Sequence, residues 1–384
     1  MRQCDVLVVG GGPAGSSFAW QLRQAGLDVV ILDKKDFPRD KICAGWVTPP
    51  VFEALKVDLD DYAKDGRVLQ PITGFYVGRV DGKQLLPGVA SHYDDPVSYG
   101  IRRCEFDEYL LRRCGAELAL GVAVKSIERR DDRWVINDAY EAPLLVGAGG
   151  HFCPVARKLN SGGGAAKELI VAAQEIEFPM TSEQQAACKV DAHVPELYFC
   201  SDLAGYAWCF RKGDHLNIGL GREDSQRLSD HVADFAEALK RAGRVPADIP
   251  TKFHGHAYIL YGHTQRQTVD DGVMLIGDAA GLAYPQSGEG IRSAIESALM
   301  AAQLIASTPR GPEWVARTTL EKYRRLLVKR FGEPGSSDPN AHRTPSGLKA
   351  SVAGFLLKRH WFVRHVVMDR WFLHRHQPAL QVAE

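Results

Sequence analysis

Two glycine-rich stretches near opposite ends of this 384-residue chain each keep company with a lone acid. In "VVGGGPAGSS", Gly10, Gly12 and Gly15 form G-x-G-x-x-G, and Asp33 follows about twenty residues later. Glycine-freed backbone at a helix start offers N–H groups to a pyrophosphate. An acid at that distance hydrogen-bonds ribose hydroxyls and repels a 2′-phosphate. In "LIGDAAGLAYPQSGEGIRSAI", Asp278 ends an apolar run, and Gly288 and Gly290 precede a helical pattern. Asp278 suits a sugar-alcohol hydroxyl. The two glycines let a helix start approach a ring edge that turns negative on reduction, an effect worth about 0.3–1 kcal/mol. The first stretch fits any ADP moiety. The two together fit FAD, whose ribityl chain and flavin N1/O2 edge lie beyond the pyrophosphate.

Several elements must hold these residues. Val6–Val9 is an unbroken apolar run, as in a parallel strand buried on both faces. Phe18, Leu22 and Ala25 recur at helical spacing, and Gly26 stops that helix. A second strand, Val29–Leu32, delivers Asp33, and Val273–Ile276 delivers Asp278. Between them, "LIVAAQEIEF" (Leu169–Phe178), "ELYFC" (Glu196–Cys200), "YAWCF" (Tyr206–Phe210) and "LNIGLG" (Leu216–Gly221) alternate as an antiparallel sheet. Tyr206, Trp208 and Phe210 then share one face. They are either ordinary sheet packing or the wall of an apolar substrate pocket, and both readings stay open. Ser229–Gly243 reads as a helix with a Ser cap and a Gly stop. The expected fold class is α/β: a Rossmann-type three-layer FAD unit from 1–80, 95–160 and 270–305, an antiparallel-sheet substrate unit from 80–95 and 165–265, and a helical C-terminal region, 306–384, with a linker near 332–347.

Composition excludes other classes. Lys plus Arg and Asp plus Glu both number 47, so the whole chain has no nucleic-acid signature. The 8 cysteines show no paired spacing, so no metal site is expected and a reducing compartment is. No cleavable leader and no long apolar run appear, giving a cytoplasmic expectation. His92, His193, His254 and His256 lack a base–nucleophile pattern and read as structural. From Leu348 to His376, six Lys and Arg face the single acid Asp369, and Val352, Phe355, Leu356, Phe362, Val363, Val366, Val367 and Leu373 recur at near-helical spacing. This basic amphipathic region is expected either to dock on the protein itself or to meet a membrane surface or a protein partner.

The chain resembles the geranylgeranyl reductase family of flavoproteins, within the larger group of aromatic hydroxylase-like and halogenase-like enzymes. The resemblance rests on the two FAD stretches, "DKICAGWVTPP" (Asp40–Pro50), "RCEFDEYLL" (Arg103–Leu111) and "GYAWCFRKGDHLNIGLG" (Gly205–Gly221). The last is similar to the reductases' Y-x-W-x-F-P-K signature, with Arg211 in place of the proline. By this resemblance Arg103, or Arg102 beside it, lies near the flavin, Val124 belongs to a strand whose backbone touches adenine, and Cys43 lies where some reductases carry a cysteine near the flavin, reading either as a catalytic proton donor activated by Lys41 or a helix start or as a buried inert thiol. It also implies non-covalent FAD, NAD(P)H as a transient electron donor, and reduction of a carbon–carbon double bond in a hydrophobic isoprenoid- or lipid-like substrate. A monooxygenase or halogenase-like enzyme is the alternative. Gly149 stands where related hydroxylases carry an acid, and no W-x-W-x-I-P halogenase stretch is present. An electron-relay flavoprotein docking a protein partner is the alternative of another class.

Overall fold

The computed structural model describes residues 1–161, 170–224, 226–262, 266–311, 313–333 and 347–381. The linker expected near 332–347 falls almost wholly outside them, as does Leu169.

A six-stranded sheet forms around Val6–Val9, whose four side chains are all buried. Its order is Val269–Asp270, Val273–Leu275, Leu144–Gly147, Val6–Val9, Val29–Leu32 and Glu117–Ala119, parallel except for the first pair. Helices Pro13–Gln24 and Ile291–Ser307 pack together beside it. A four-stranded sheet of Arg2–Gln3, Tyr140–Ala142, Arg133–Ile136 and Ile127–Arg130 adds a further layer. The runs are apolar throughout because both faces of the central sheet are covered.

A seven-stranded sheet runs in the order His254–Ile259, Ile170–Pro179, His215–Arg222, Gly205–Lys212, Glu196–Cys200, Gly74–Asp81 and Gln84–His92. All its pairs are antiparallel except Glu196–Cys200 with Gly74–Asp81. Gly74–Asp81, placed by sequence ahead of a break at 80, therefore lies in this sheet.

The alternation sorts this sheet's two faces. Ala207, Cys209, Ile218 and Leu220 pack against helix Leu228–Arg241. Ser229 does not cap that helix. Its N-cap is Arg227 in the left-handed region (φ 49°), and the Ser229 hydroxyl instead accepts from Gln174 Nε2 at 3.0 Å. Trp208 and Phe210 point the other way, into a core shared with Trp46, Phe75 and the C-terminal helices.

Those C-terminal helices run Gly347–Leu356, His360–Phe362 and Val363–Phe372. The last is a π-helix, continued by Leu373 N–H donating to Met368 O at 2.8 Å. Its i→i+5 winding brings Val363, Val367, Met368 and Phe372 to one buried side and turns Arg370 outward. The apolar stripe that Arg370 interrupts at ordinary helical spacing is thereby continuous, and the segment docks on the protein itself.

Candidate functional site

The glycines of the first stretch are explained by contacts. A Cβ on Gly10 would lie 2.5 Å from Ala148 O, and one on Gly15 would lie 1.9 Å from Gly10 O, so side chains are excluded where strand, turn and helix meet. At Gly12 a Cβ would meet only the Arg39 guanidinium, at 3.4 Å, leaving the backbone open beside a cation. Gly12 is the N-cap of helix Pro13–Gln24 and offers no side-chain cap, so the first-turn N–H groups are available. Asp33 Oδ2 accepts from Gly11 N–H at 2.8 Å and Oδ1 from Lys35 N–H at 2.9 Å. A carboxylate has about four lone-pair sites, so capacity for ribose hydroxyls remains.

Val124 departs from expectation. The strand there is Glu117–Ala119, and 122–126 has no regular structure, because Gly121 (φ 71°) turns the chain. Val122 N–H still donates to Asp33 O at 2.9 Å, so this backbone runs beside Asp33.

Asp278 lies in a short 3₁₀ turn, Gly277–Ala280, fixed by Gly277 N–H donating to Ser297 Oγ at 3.0 Å. Its Oδ1 is buried and makes no hydrogen bond. A Cβ on Gly290 would approach that oxygen to 3.0 Å, so glycine keeps the start of helix Ile291–Ser307 against the acid. Gly288 (φ 66°) leaves no room for a Cβ beside the Tyr258 hydroxyl, 2.4 Å away. A buried, orphaned carboxylate oxygen and a backbone cradle that side chains would fill are what a ribityl hydroxyl and a flavin edge require. These residues fit FAD, with the ADP portion at Gly10–Asp33.

Around Asp278 the two large sheets meet in a buried charged cluster. Arg103 makes a bidentate pair with Asp107 at 2.8 and 2.9 Å. Burial opposes its charge, but the paired Asp107 carboxylate, with the Cys43 sulfur nearby, holds the guanidinium charged. Arg102 instead faces Glu105 at 2.8 Å and Glu177 at 3.4 Å. Lys41 Nζ donates to His256 Nε2 at 2.8 Å. Burial, with Arg103 second, lowers Lys41 to about 8. Burial, with Lys41 second, lowers His256 to about 3, so the ring stays neutral. Burial raises Asp278, against the pull of Lys41, Arg103 and His151.

Cys43 is half-buried at this junction. Its N–H donates to Glu175 Oε1, its carbonyl accepts from Asn217 Nδ2 at 3.3 Å, and its sulfur accepts from Gly45 N–H at 3.4 Å. Lys41, expected to act on Cys43, instead bonds His256, while Arg103, paired with Asp107, lies near the sulfur. Glu175 is buried, its Oε2 makes no hydrogen bond, and burial raises it to about 7. Glu289, in the GEG loop, is alike: Oε2 is orphaned and burial raises it to about 7.

Register explains why these groups converge. Glu175 pairs with Gly219, which pairs with Trp208; Ala173 pairs with Gly221, which pairs with Tyr206. Opposed residues share a sheet face, so the aromatic row and the carboxylates look toward Cys43 together. Trp208 is held by Nε1 donating to Asn217 Oδ1 at 2.7 Å, and Phe210 stacks on Trp46 at 5.5 Å. These two are packed core. Tyr206 is the aromatic that reaches the other stretch, its hydroxyl donating to Ser287 O next to Gly288.

Sequence reasoning missed Arg39, Glu175, Asn217 and His256. The alternation marks a strand at Glu175 and none at His256, and no local signal says which sheet face meets the cofactor unit. Among the described residues no cluster suits a metal ion, and no helix is long and apolar enough to cross a membrane.

A family profile described as FAD dependent oxidoreductase matches residues 5–67. The chain is 26% identical over 400 residues to a digeranylgeranylglycerophospholipid reductase of Methanocaldococcus jannaschii, covering 95% of each. It is 28% identical over 354 residues to a menaquinone reductase of Mycobacterium tuberculosis, covering 85% of this chain and 80% of that one. Among solved structures, a geranylgeranyl bacteriochlorophyll reductase-like protein of Thermoplasma acidophilum superposes with a TM-score of 0.70 at 22% identity, covering 93% of this chain and 88% of that one. A probable FAD-dependent monooxygenase of Pseudomonas aeruginosa reaches 0.62 at 16% identity, covering 87% and 98%. The second pair of likenesses bears on the fold.

Proposed function

We propose that this chain, an FAD-dependent oxidoreductase similar along most of its length to the geranylgeranyl reductases, saturates a carbon–carbon double bond in a prenyl-lipid substrate. The observation that carries the reading is the meeting of an aromatic sheet face with the Asp278 loop: Tyr206 bonds Ser287 O, and Cys43 lies between the two sheets. An apolar alkene held beside Tyr206, the one aromatic of that face that reaches the loop, would lie beside the cofactor. The names of the two relatives agree in kind, since a digeranylgeranyl lipid and menaquinone are both prenyl compounds.

Bound FAD, once reduced by NAD(P)H or another donor, supplies a hydride. The protein's part is to bind, to orient, to exclude water and to supply a proton. Gly12 and the helix start would hold the pyrophosphate, Asp33 the ribose, Asp278 the ribityl chain, and Gly288–Gly290 the ring edge. The alkene π bond is replaced by two C–H bonds: one carbon takes the hydride, the other a proton from Cys43 Sγ–H. Arg103, near that sulfur, would place a positive charge opposite the thiolate left behind.

Anaerobic reduction by NADH or NADPH, followed by mixing with polyprenyl substrates with and without oxygen, tests this. The expected outcome is oxygen-independent reoxidation with a product heavier by two hydrogens. A hydroxylated product that needs oxygen would establish the monooxygenase reading instead. Reoxidation only by a protein acceptor would establish an electron relay.

A further inference from the structure

Helix Gly347–Leu356, "GLKASVAGFL", contains one charged residue, Lys349. A helix apolar on every side belongs inside something. One side of this helix is covered: Gly354 packs so closely on Arg79 that a Cβ would lie 2.6 Å from its guanidinium, and Leu357, just beyond the helix, is buried. The other side is bare. Val352 is 52% exposed, Phe355 55% and Trp361 66%. These are three of the six large apolar side chains that stand exposed among the described residues, gathered within one short stretch.

Cations frame the patch. Lys358, Arg359 and His360 are exposed between Phe355 and Trp361, and the Arg359 guanidinium lies 4.4 Å over the Phe355 ring. From 352 to 376 five Lys and Arg oppose one carboxylate, in a chain of net charge zero. Asp369 engages Arg364 and Arg375, at 2.8 and 3.6 Å, while Lys358, Arg359 and Arg370 point outward.

Beside the patch a groove of about 520 Å³ is walled by Phe199, Leu203, Val352, Leu356, Phe362 and Trp371. Its inner wall leads toward the candidate site. Phe199 is 6.2 Å from the Tyr206 ring, and Phe372 lies 6.3 Å from Phe199 and 5.3 Å from Tyr206. Tyr206 in turn bonds the Ser287 carbonyl.

We infer that the 352–361 face docks on an anionic lipid bilayer, seating Phe355 and Trp361 at the headgroup–acyl boundary, and that the groove beside it takes the substrate's prenyl chain directly from the membrane. The pairing of exposed Trp and Phe with flanking Lys and Arg is the composition of a helix lying in the interface, and its basic residues are attracted to anionic headgroups. The groove's role rests on the prenyl-lipid reading above; the docking does not.

The full-length FAD-loaded protein is sedimented with vesicles of phosphatidylcholine alone and of phosphatidylcholine mixed with phosphatidylglycerol. Binding is expected to the mixed vesicles, falling with added salt, and not to phosphatidylcholine alone. The double variant Phe355→Ser/Trp361→Ser should lose at least tenfold in vesicle affinity while keeping its flavin content, its melting temperature and its rate on a short, water-soluble prenyl alkene. Leu356→Trp, which fills the groove, should keep vesicle binding and raise KM at least tenfold for a prenyl lipid embedded in vesicles. Wild-type protein that ignores anionic vesicles, or a double variant that binds them like wild type, overturns the docking. Capture of a protein partner through this face without vesicle binding does so as well. An unchanged KM in Leu356→Trp overturns the groove. If no prenyl alkene is reduced by any form while vesicle binding is lost in the double variant, the docking stands and the substrate reading fails.

Discussion

Asp278 Oδ1 is buried without a hydrogen bond although Lys41 and Arg103 stand near it. Asp278→Ala should therefore cost FAD retention more than it costs folding. Loss of one charge-assisted hydrogen bond is worth roughly 1.5–3 kcal/mol, about ten- to hundredfold in affinity, readable by flavin fluorescence on dilution. Unchanged retention would make the acid structural. Glu175 gives a second prediction at this scale. Burial raises it from 4.5 unfolded to about 7 folded, with the Cys43 N–H and Lys212 opposing. The folded state therefore binds more protons than the unfolded one between those values. Its contribution to stability is full below pH 4.5 and is lost as pH rises through about 7. Glu175→Gln cannot ionise, so the melting temperature of wild type relative to that variant should fall, on the order of a few °C, across this window. A constant difference would mean that Glu175 is ionised throughout. Gly10, Gly12, Gly15 and Asp33 were legible in sequence because a single strand–turn–helix–strand unit carries them. Glu175 and His256 were not, because their significance arises only where a second sheet lands on the first.

At the scale of elements, close approach sets the tolerances. A Cβ on Gly219 would lie 2.2 Å from the Trp208 ring and 2.8 Å from Glu175 Cβ. Gly219→Ala should displace the indole that bonds Asn217, and with it the Asn217 contact to the Cys43 carbonyl. Overpacking of this kind costs about 1–3 kcal/mol, visible in thermal melting, and activity should fall more than FAD content. A variant that melts like wild type would mean the strand shifts to make room. The strand alternation was readable, and so was the common face of Tyr206, Trp208 and Phe210. Their division into packed core and a residue that reaches the loop was not, since the same pattern serves both. The π-helical winding of Val363–Phe372 was equally hidden: its apolar residues look interrupted at ordinary helical spacing and become continuous only in the wider turn.

For the whole molecule, FAD would lie between two sheets that otherwise meet through a charged cluster. Ligand binding to the folded state alone adds stability by mass action, about 2.7 kcal/mol at a hundredfold excess over Kd. Apo-protein should melt earlier than FAD-loaded protein, by an amount that grows with free FAD. A melting temperature indifferent to free FAD would mean that the folded chain does not bind it. No covalent attachment motif was recognised in the sequence, so acid precipitation should release the flavin and leave a colourless pellet; a yellow pellet would show a covalent bond.

Strand Val6–Val9 takes its neighbours from residues 29–32 and 144–147, and the strand beyond them comes from 273–275. The large sheet likewise joins Gly74–Asp81 to Glu196–Cys200. The ribosome therefore delivers the two halves of the candidate cofactor cradle far apart in synthesis. Until residue 275 emerges, the strand Leu144–Gly147 has an unfilled edge, and at about 5–20 residues per second that interval lasts on the order of seconds to tens of seconds. Nascent chains stalled ahead of Val273 should recruit chaperones and fail to retain FAD, whereas release of the finished chain should restore both solubility and yellow colour. Completion of this sheet thus waits on the strand from residues 273–275.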